Sequence, residues 1–182
     1  MEHAEEFFLM DIDCQLEARH KGEEGFLDFW NKKKWQITMY LTMQPCHLST
    51  DTGGTKPDHS CCKVMIEAKR KLGENVEIVI KPTHLCKANW DLKYAKNKEH
   101  VNNANEGVNM LFKTKGIELK CMEEDDWDYL LQYVQEGTTL TNCERSRRGE
   151  HDGIIRNYLE KVKQAEQAPE DQVTKGVAGL EI

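Results

Sequence analysis

The sequence has no long apolar segment, and its longest apolar runs are only a few residues. A membrane-spanning helix needs about 20 such residues in succession. The N-terminal stretch MEHAEEFF is acidic, whereas a secretion signal begins with basic residues and continues with apolar ones. We therefore expect no membrane partner and a cytoplasmic or nuclear location, with secretion only if a signal peptide precedes residue 1.

The chain also has no excess of positive charge. It contains 25 Lys and Arg residues and 32 Asp and Glu residues, which gives a net charge of −7. Nucleic-acid-binding domains, in contrast, usually have a basic surface. Four basic clusters nevertheless occur, and such clusters are most often solvated faces. Composition alone therefore leaves a nucleic-acid partner open. The clusters span residues 31–35, 69–71, 93–98 and 144–148.

The cysteines do not form the even, regular set of a disulfide framework. Seven cysteines occur at irregular spacing in 182 residues, and cysteines of this kind in a reducing compartment are core residues or metal ligands. Two cysteine sites flank a polar loop: Cys46 follows Pro45, and Cys61 and Cys62 follow Ser60. This arrangement favours a metal site.

Periodicity and turn signals indicate alternating helices and strands. Ser60 is a suitable N-cap and Gly73 a suitable C-terminal residue for the helix between them. The order predicts one α/β domain over residues 1–167 with parallel crossovers, followed by a loose tail over 168–182. We expect helices over 3–18, 61–72, 106–116, 125–135 and 153–164, strands over 35–43, 76–85 and 117–122, and an amphipathic stretch at 26–30.

The first predicted helix carries two groups suited to metal chemistry. His3 is a potential ligand, and Glu5 follows two residues later. A catalytic zinc site needs three protein ligands and leaves a fourth position to water. His3 with two cysteines satisfies that requirement, and Glu5 is then free to carry protons for the water. H-x-E followed by P-C and a later Cys is the zinc-deaminase signature. The same helix has an apolar stripe: Phe7, Phe8, Ile12 and Leu16.

These motifs resemble the AID/APOBEC-like polynucleotide cytidine deaminases. The resemblance begins with HAE at residues 3–5, PC at 45–46 and the helix from Cys61, and continues through VEIVIKPTHLCKANW at 76–90 and EGVNMLFKTKGIELKCMEEDDWDYLLQYV at 106–134. It covers residues 3–163. It implies a cytidine-deaminase-like three-layer α/β fold with a central mixed sheet flanked by helices.

The resemblance also implies an activity and a site. Zinc held by His3, Cys46 and Cys61 would activate water, and Glu5 would carry protons, in the hydrolytic deamination of cytosine to uracil in single-stranded DNA or RNA. Cys61 is preferred to Cys62 because it matches the pattern of the family's helix. The expected substrate contacts are Tyr40, His84 and Trp90.

The remaining histidines and cysteines are expected to have other roles. We interpret His47, His59 and His84 as loop residues or substrate contacts rather than ligands. The cysteines outside the motif are interpreted as packing residues: Cys14, Cys86, Cys121 and Cys143.

Three departures from the family pattern leave alternatives open. The loop at 47–60 stretches the usual short PCxxC, Met43 and Gln44 replace the common Trp-Ser before PC, and the family's first hairpin is missing from the sequence. One alternative is a deaminase of free cytidine. The other is an inactive zinc-containing binding protein whose metal is closed by a fourth ligand, Cys62 or His47.

Overall fold

The computed structural model describes residues 3–22, 33–48, 59–134 and 137–167. Within these ranges the chain forms five α-helices and three β-strands. In chain order they are α1 Ala4–His20, β1 Trp35–Leu41, α2 Cys61–Leu72, β2 Val76–Pro82, α3 Ala95–Lys113, β3 Ile117–Leu119, α4 Glu124–Leu131 and α5 Asn142–Gln167.

The three strands form a parallel sheet in the order β1, β2, β3. Trp35 pairs with Val76 at one end of the first ladder and Leu41 with Pro82 at the other. Parallel neighbours need crossover connections; α2 lies between β1 and β2 in the chain and α3 between β2 and β3. The predicted α/β architecture with parallel crossovers is therefore confirmed. Antiparallel strands of the expected mixed sheet are not among the strands described.

The core lies on one face of the sheet. Alternate residues of β1 pack against it, and α2 and α3 cover it, with α1 packed on α2 and α5 on α3. The opposite face, with Gln36, Thr38 and Tyr40, lines an open cavity of about 620 Å³ with residues of α4 and α5. The largest core side chains include Met65, Ile78, Ile80, Leu111 and Ile155.

The helix α2 begins and ends where its sequence predicts. The Ser60 hydroxyl accepts a hydrogen bond of 3.1 Å from the Lys63 backbone N–H, which satisfies one of the free donors of the first turn. Gly73 follows the last turn with φ of 79°, a conformation that glycine adopts without a Cβ penalty. Because Ser60 is the N-cap, Cys61 and Cys62 are the first two residues of the helix.

Several sequence predictions are wrong in detail. Phe7 is 56% exposed because Glu5 faces inward, and a residue two positions further along a helix lies on the opposite side. Cys14 and Cys143 are exposed rather than packed. Helix α3 begins well before the predicted residue 106, and α5 well before 153. The stretches predicted at 26–30 and 168–182 lie outside the described residues.

None of the helices in the described part of the chain is long and apolar enough to cross a membrane.

Candidate metal centre

Three segments meet at the N-termini of α1 and α2. The long loop between Cys46 and Cys61 is closed at its base, because Leu48 N–H donates to the His59 carbonyl at 2.9 Å and Cys62 N–H donates to the Cys46 carbonyl at 3.1 Å. His47 and Ser60 add an antiparallel bridge. The two cysteine sites are therefore neighbours in space despite the inserted loop.

His3, Cys46, His59 and Cys61 form a cluster whose ligand atoms all lie within 4.8 Å of one another. His3 Nδ1 is 2.9 Å from Cys61 Sγ and 3.6 Å from Cys46 Sγ. His59 Nε2 is 3.4 Å from Cys61 Sγ. Both sulfurs are buried, and both imidazoles are half-buried. We call this group the His/Cys cluster.

The donor set and spacing fit zinc. Zinc bonds of about 2.0–2.3 Å to nitrogen and sulfur in a tetrahedron place neighbouring donors about 3.3–3.8 Å apart. Three donor pairs of the cluster, at 2.9, 3.4 and 3.6 Å, come close to this range, and all donors lie within 4.8 Å of one another. Mixed imidazole and thiolate ligands favour zinc over the oxygen-seeking divalent ions. The cluster can therefore hold one such metal ion.

The two sulfurs of the cluster share a proton unequally. The hydrogen bond from Cys61 lowers the pKa of Cys46 to about 6, against the opposing effect of burial. The same hydrogen bond, together with burial and the nearby Glu5 carboxylate, raises the pKa of Cys61. A thiolate is the metal-binding form of cysteine, so one sulfur of the pair is already prepared to bind metal.

Glu5 lies beside the cluster without belonging to it. Its side chain is buried, with 7% of the residue exposed, and its carboxylate is close enough to Cys61 to help raise the pKa of that thiol. A buried acidic side chain is uncommon unless it is paired or functional. The structure therefore brings together all four residues that the sequence assigned to metal and proton chemistry: His3, Glu5, Cys46 and Cys61.

The two alternative fourth ligands named from the sequence have other partners. Cys62 is fully buried in the core, and its thiol points to the Pro45 carbonyl at 3.3 Å. His47 Nδ1 is 2.7 Å from the Ser60 hydroxyl, and its Nε2 is 3.7 Å from the Glu106 carboxylate. Neither side chain belongs to the His/Cys cluster.

His59 is the residue that sequence reasoning missed. It was interpreted as a loop residue or a substrate contact, yet its imidazole is part of the cluster. The available signal was its position two residues before Cys61. The signal is weak, because the H-x-E, P-C and later Cys pattern used to choose the ligands assigns no role to a histidine at this position.

Tyr40, one of the three expected substrate contacts, lies on the other face of the sheet. Its hydroxyl donates to Asp126 Oδ1 at 2.9 Å, and burial and Asp126 raise the pKa of Tyr40 to about 12. Its side chain lines the 620 Å³ cavity, whose lining includes no member of the cluster. The structure does not bring Tyr40 to the metal centre.

His84 and Trp90 lie in the segment after β2. The His84 carbonyl accepts a hydrogen bond of 3.0 Å from Gln44 N–H, which ties this segment to the residues preceding Cys46. Lys87, only 7% exposed, places its ammonium 5.3 Å from the centre of the Trp90 ring and has no hydrogen-bond partner for its Nζ. The segment thus combines an aromatic ring with a cation.

Searches against models of protein families and against curated proteins give no match to this chain. Its function therefore has to be inferred from the geometry of the metal centre and from the motifs of its sequence.

Proposed function

We propose that the chain is a zinc-dependent hydrolase that converts cytosine to uracil in single-stranded DNA or RNA. One observation supports this most strongly: the buried Glu5 carboxylate lies against a cluster that contains His3, Cys46 and Cys61. Three N and S donors with an adjacent carboxylate are the parts that zinc deamination requires. In this chain α1 supplies two of them, His3 and Glu5, from one turn of helix.

Each residue has a defined task in this proposal. His3, Cys46 and Cys61 would hold zinc, which when bound lowers the pKa of a coordinated water and makes it nucleophilic near neutral pH. Glu5 accepts a proton from the water that adds at C4 of cytosine. It passes this proton to ring N3, then takes the proton of the new C4 hydroxyl and passes it to the amino group, so that the C4–N bond breaks and ammonia and uracil are the products. Burial of Glu5 keeps bulk water away from this transfer.

The segment at 84–90 supports a polynucleotide substrate. A base can stack on Trp90. The Lys87 ammonium beside this ring is buried, so phosphate contacts would have to come from exposed Lys and Arg side chains. Two of the basic clusters noted in the sequence are less suited to this task. Lys71 is paired with Asp13, and Arg145 with Glu124 and Asp128. Phosphate binding would therefore depend on few cations, and because the salt dependence of affinity scales with the number of neutralised phosphates, affinity should fall only modestly as salt rises.

The test is uracil formation by zinc-loaded protein on a labelled single strand that contains cytosine, with free cytidine as the competing substrate. Glu5→Gln keeps the size of the side chain and one hydrogen-bonding oxygen but cannot carry protons. We expect Glu5→Gln to bind zinc as the wild type does and to lose nearly all deamination. An equal rate in both proteins would overturn the role of Glu5, and a preference for free cytidine would favour the nucleoside deaminase.

A second candidate function is an inactive zinc-containing binding protein. The observation that favours it is the fourth donor, His59, because four protein ligands are typical of structural zinc sites. Zinc-loaded, folded protein that forms no uracil from either substrate would contradict the enzymatic proposal and support this one.

A further inference from the structure

We propose that His59 is the fourth ligand of the metal centre and that, with Glu6 beside its second nitrogen, it occupies the position that the proposed deaminase would give to water. The inference rests on the proposed function only for the role of that water. The ligation itself stands on the geometry of His59, Glu6 and the two sulfurs.

The His59 ring directs its two nitrogens to different partners. Nε2 is 3.4 Å from Cys61 Sγ and within 4.8 Å of the other ligand atoms. Nδ1 is 3.8 Å from Glu6 Oε1. A metal-binding histidine commonly has a carboxylate at its second nitrogen, which fixes the tautomer and the ring orientation. The environment of His59 has this arrangement.

Glu6 is itself fixed in place. Its Oε2 accepts a hydrogen bond of 2.8 Å from the His3 backbone N–H at the start of α1. Its other oxygen, Oε1, lies on the side of His59. One carboxylate therefore connects the backbone of the first ligand, His3, with the ring of His59. Glu5 and Glu6 thus have separate tasks at the centre: Glu5 faces Cys61, and Glu6 faces His59.

The backbone of His59 is also well placed for ligation. Its carbonyl accepts from Leu48 N–H at 2.9 Å, and the next residue, Ser60, caps α2. His59 thus lies at the base of the inserted loop, on the opposite strand of the short bridge from His47. With His59 bound, the metal would have four protein ligands, two nitrogens and two sulfurs. Without His59 it would have three protein ligands and an open position.

Cobalt substitution tests the ligand set directly. Co²⁺ replaces zinc, and its visible absorption reports the number and type of ligands. We expect wild-type protein to show a four-coordinate spectrum that azide does not change. In His59→Ala the bands should shift, and azide should change them further, because a small anion can enter the open position. His20→Ala, which removes an exposed imidazole at the end of α1, should behave as wild type.

Zinc affinity, measured by competition with a chromophoric chelator, provides a second test. Glu6→Gln retains an oxygen for the His3 N–H but loses the charge facing His59, and we expect affinity to fall on the order of 10- to 100-fold. His59→Ala should lose at least as much, and His59→Asn serves if the alanine variant does not fold. Unchanged spectra and affinity in the His59 variants would overturn the inference.

The two proposals can fail separately. If the enzymatic proposal holds, His59→Ala should form uracil faster than wild type, because the water position is no longer blocked. If neither protein forms uracil while the cobalt spectra differ as expected, the deaminase is rejected and His59 remains the fourth ligand of a structural centre.

Discussion

Polar residues are gathered at two places in this structure, the open face of the sheet and the N-termini of α1 and α2, and the two groups differ in charge balance. On the open face, Lys81 Nζ lies 2.5 Å and 2.7 Å from the two oxygens of Asp126, and Tyr40 donates to the same carboxylate. At the metal centre, two thiols and two imidazoles converge, and the nearest carboxylates, Glu5 and Glu6, add further negative charge.

The difference separates a structural group from a binding site. In the Lys81 group every charge has a partner of opposite sign, so the group is complete as it stands. The His/Cys cluster offers ligand lone pairs and contains no Lys or Arg among its members. Buried groups of this kind are stabilised by pairing or by a metal. Removal of zinc should therefore lower the stability that the cluster contributes to the fold. The stability that the Lys81 group contributes should not depend on zinc.

The largest expected effect is the loss of stability when zinc is removed. Binding of a ligand to the folded state alone contributes about 4 kcal/mol when its free concentration is a thousand times Kd. We therefore expect a strong chelator to lower the urea midpoint and added zinc to restore it. Replacement of the exposed Cys14 by Ser should leave this response unchanged. A urea midpoint that does not change when chelator is added would contradict the distinction between the two groups.

The next effect concerns Asp126→Asn, which leaves Lys81 without its carboxylate. Breaking a largely buried ion pair costs about 3 kcal/mol. Burial opposes ionisation of Asp126, but hydrogen bonds from Lys81, the Glu123 backbone and Tyr40 outweigh it and lower the pKa. This contribution is present above the ordinary aspartate pKa of 3.8 and is lost as pH falls through the lower folded value.

Urea unfolding of wild type and Asp126→Asn, each from pH 7 down to 3 at the same zinc concentration, checks this prediction. The difference between the two proteins should be largest at neutral pH and shrink at the acid end. Glu118→Gln removes the carboxylate of an exposed pair with Lys120 and should change stability by less than about 1 kcal/mol. An equal loss in both variants would show that the Lys81 group is no more than a surface pair.

A glycine tests how tightly the metal-centre region is packed. A Cβ at Gly107 in α3 would lie 2.6 Å from His47 Cβ and 2.8 Å from Cys62 Sγ, so Gly107→Ala should destabilise by about 1–3 kcal/mol. Gly149 in α5 has open space at the same position, and alanine there should stabilise the helix by up to about 1 kcal/mol. Thermal unfolding measures the stability change in both variants. A change of the same sign in both would contradict the close packing of Gly107 against His47 and Cys62.

The smallest effect is expected from Tyr40→Phe. Loss of one hydrogen bond to Asp126 should lower stability by about 1 kcal/mol and leave zinc affinity unchanged, because Tyr40 belongs to the opposite face of the sheet. Urea unfolding and chelator competition measure the two quantities. A fall in zinc affinity would show that the two polar groups are coupled.

The parts of the fold that were predictable have strong local signals. Ser60 and Gly73 set both ends of α2, the buried strand β2 is rich in β-branched residues, and the half-buried part of β1 contains Ile37 and Thr38. The first half of α3 had no such signal, because KYAKNKEHVNNAN is almost wholly polar. It is helical with Val101 and Ala104 buried, and packing of this kind overrides a weak sequence pattern.

The site was predictable wherever residue type and helix position decided it. Successive side chains on a helix point about 100° apart, so Cys61 and Cys62 cannot face the same place. In the structure Cys61 joins the cluster and Cys62 the core. His59 had only the weak signal of its place two residues before Cys61, because its approach to the cluster depends on closure of the loop by backbone hydrogen bonds between residues distant in sequence.

Metal analysis of three purified proteins tests the central claim most directly. Wild type, Cys61→Ala and Cys62→Ala are prepared without chelator, and their folding is verified by circular dichroism. We predict about one zinc per chain in wild type and in Cys62→Ala, and nearly none in Cys61→Ala. Of these two neighbouring cysteines, Cys61 belongs to the His/Cys cluster and Cys62 does not. Folded wild type without zinc, or Cys61→Ala with as much zinc as wild type, would contradict the metal centre.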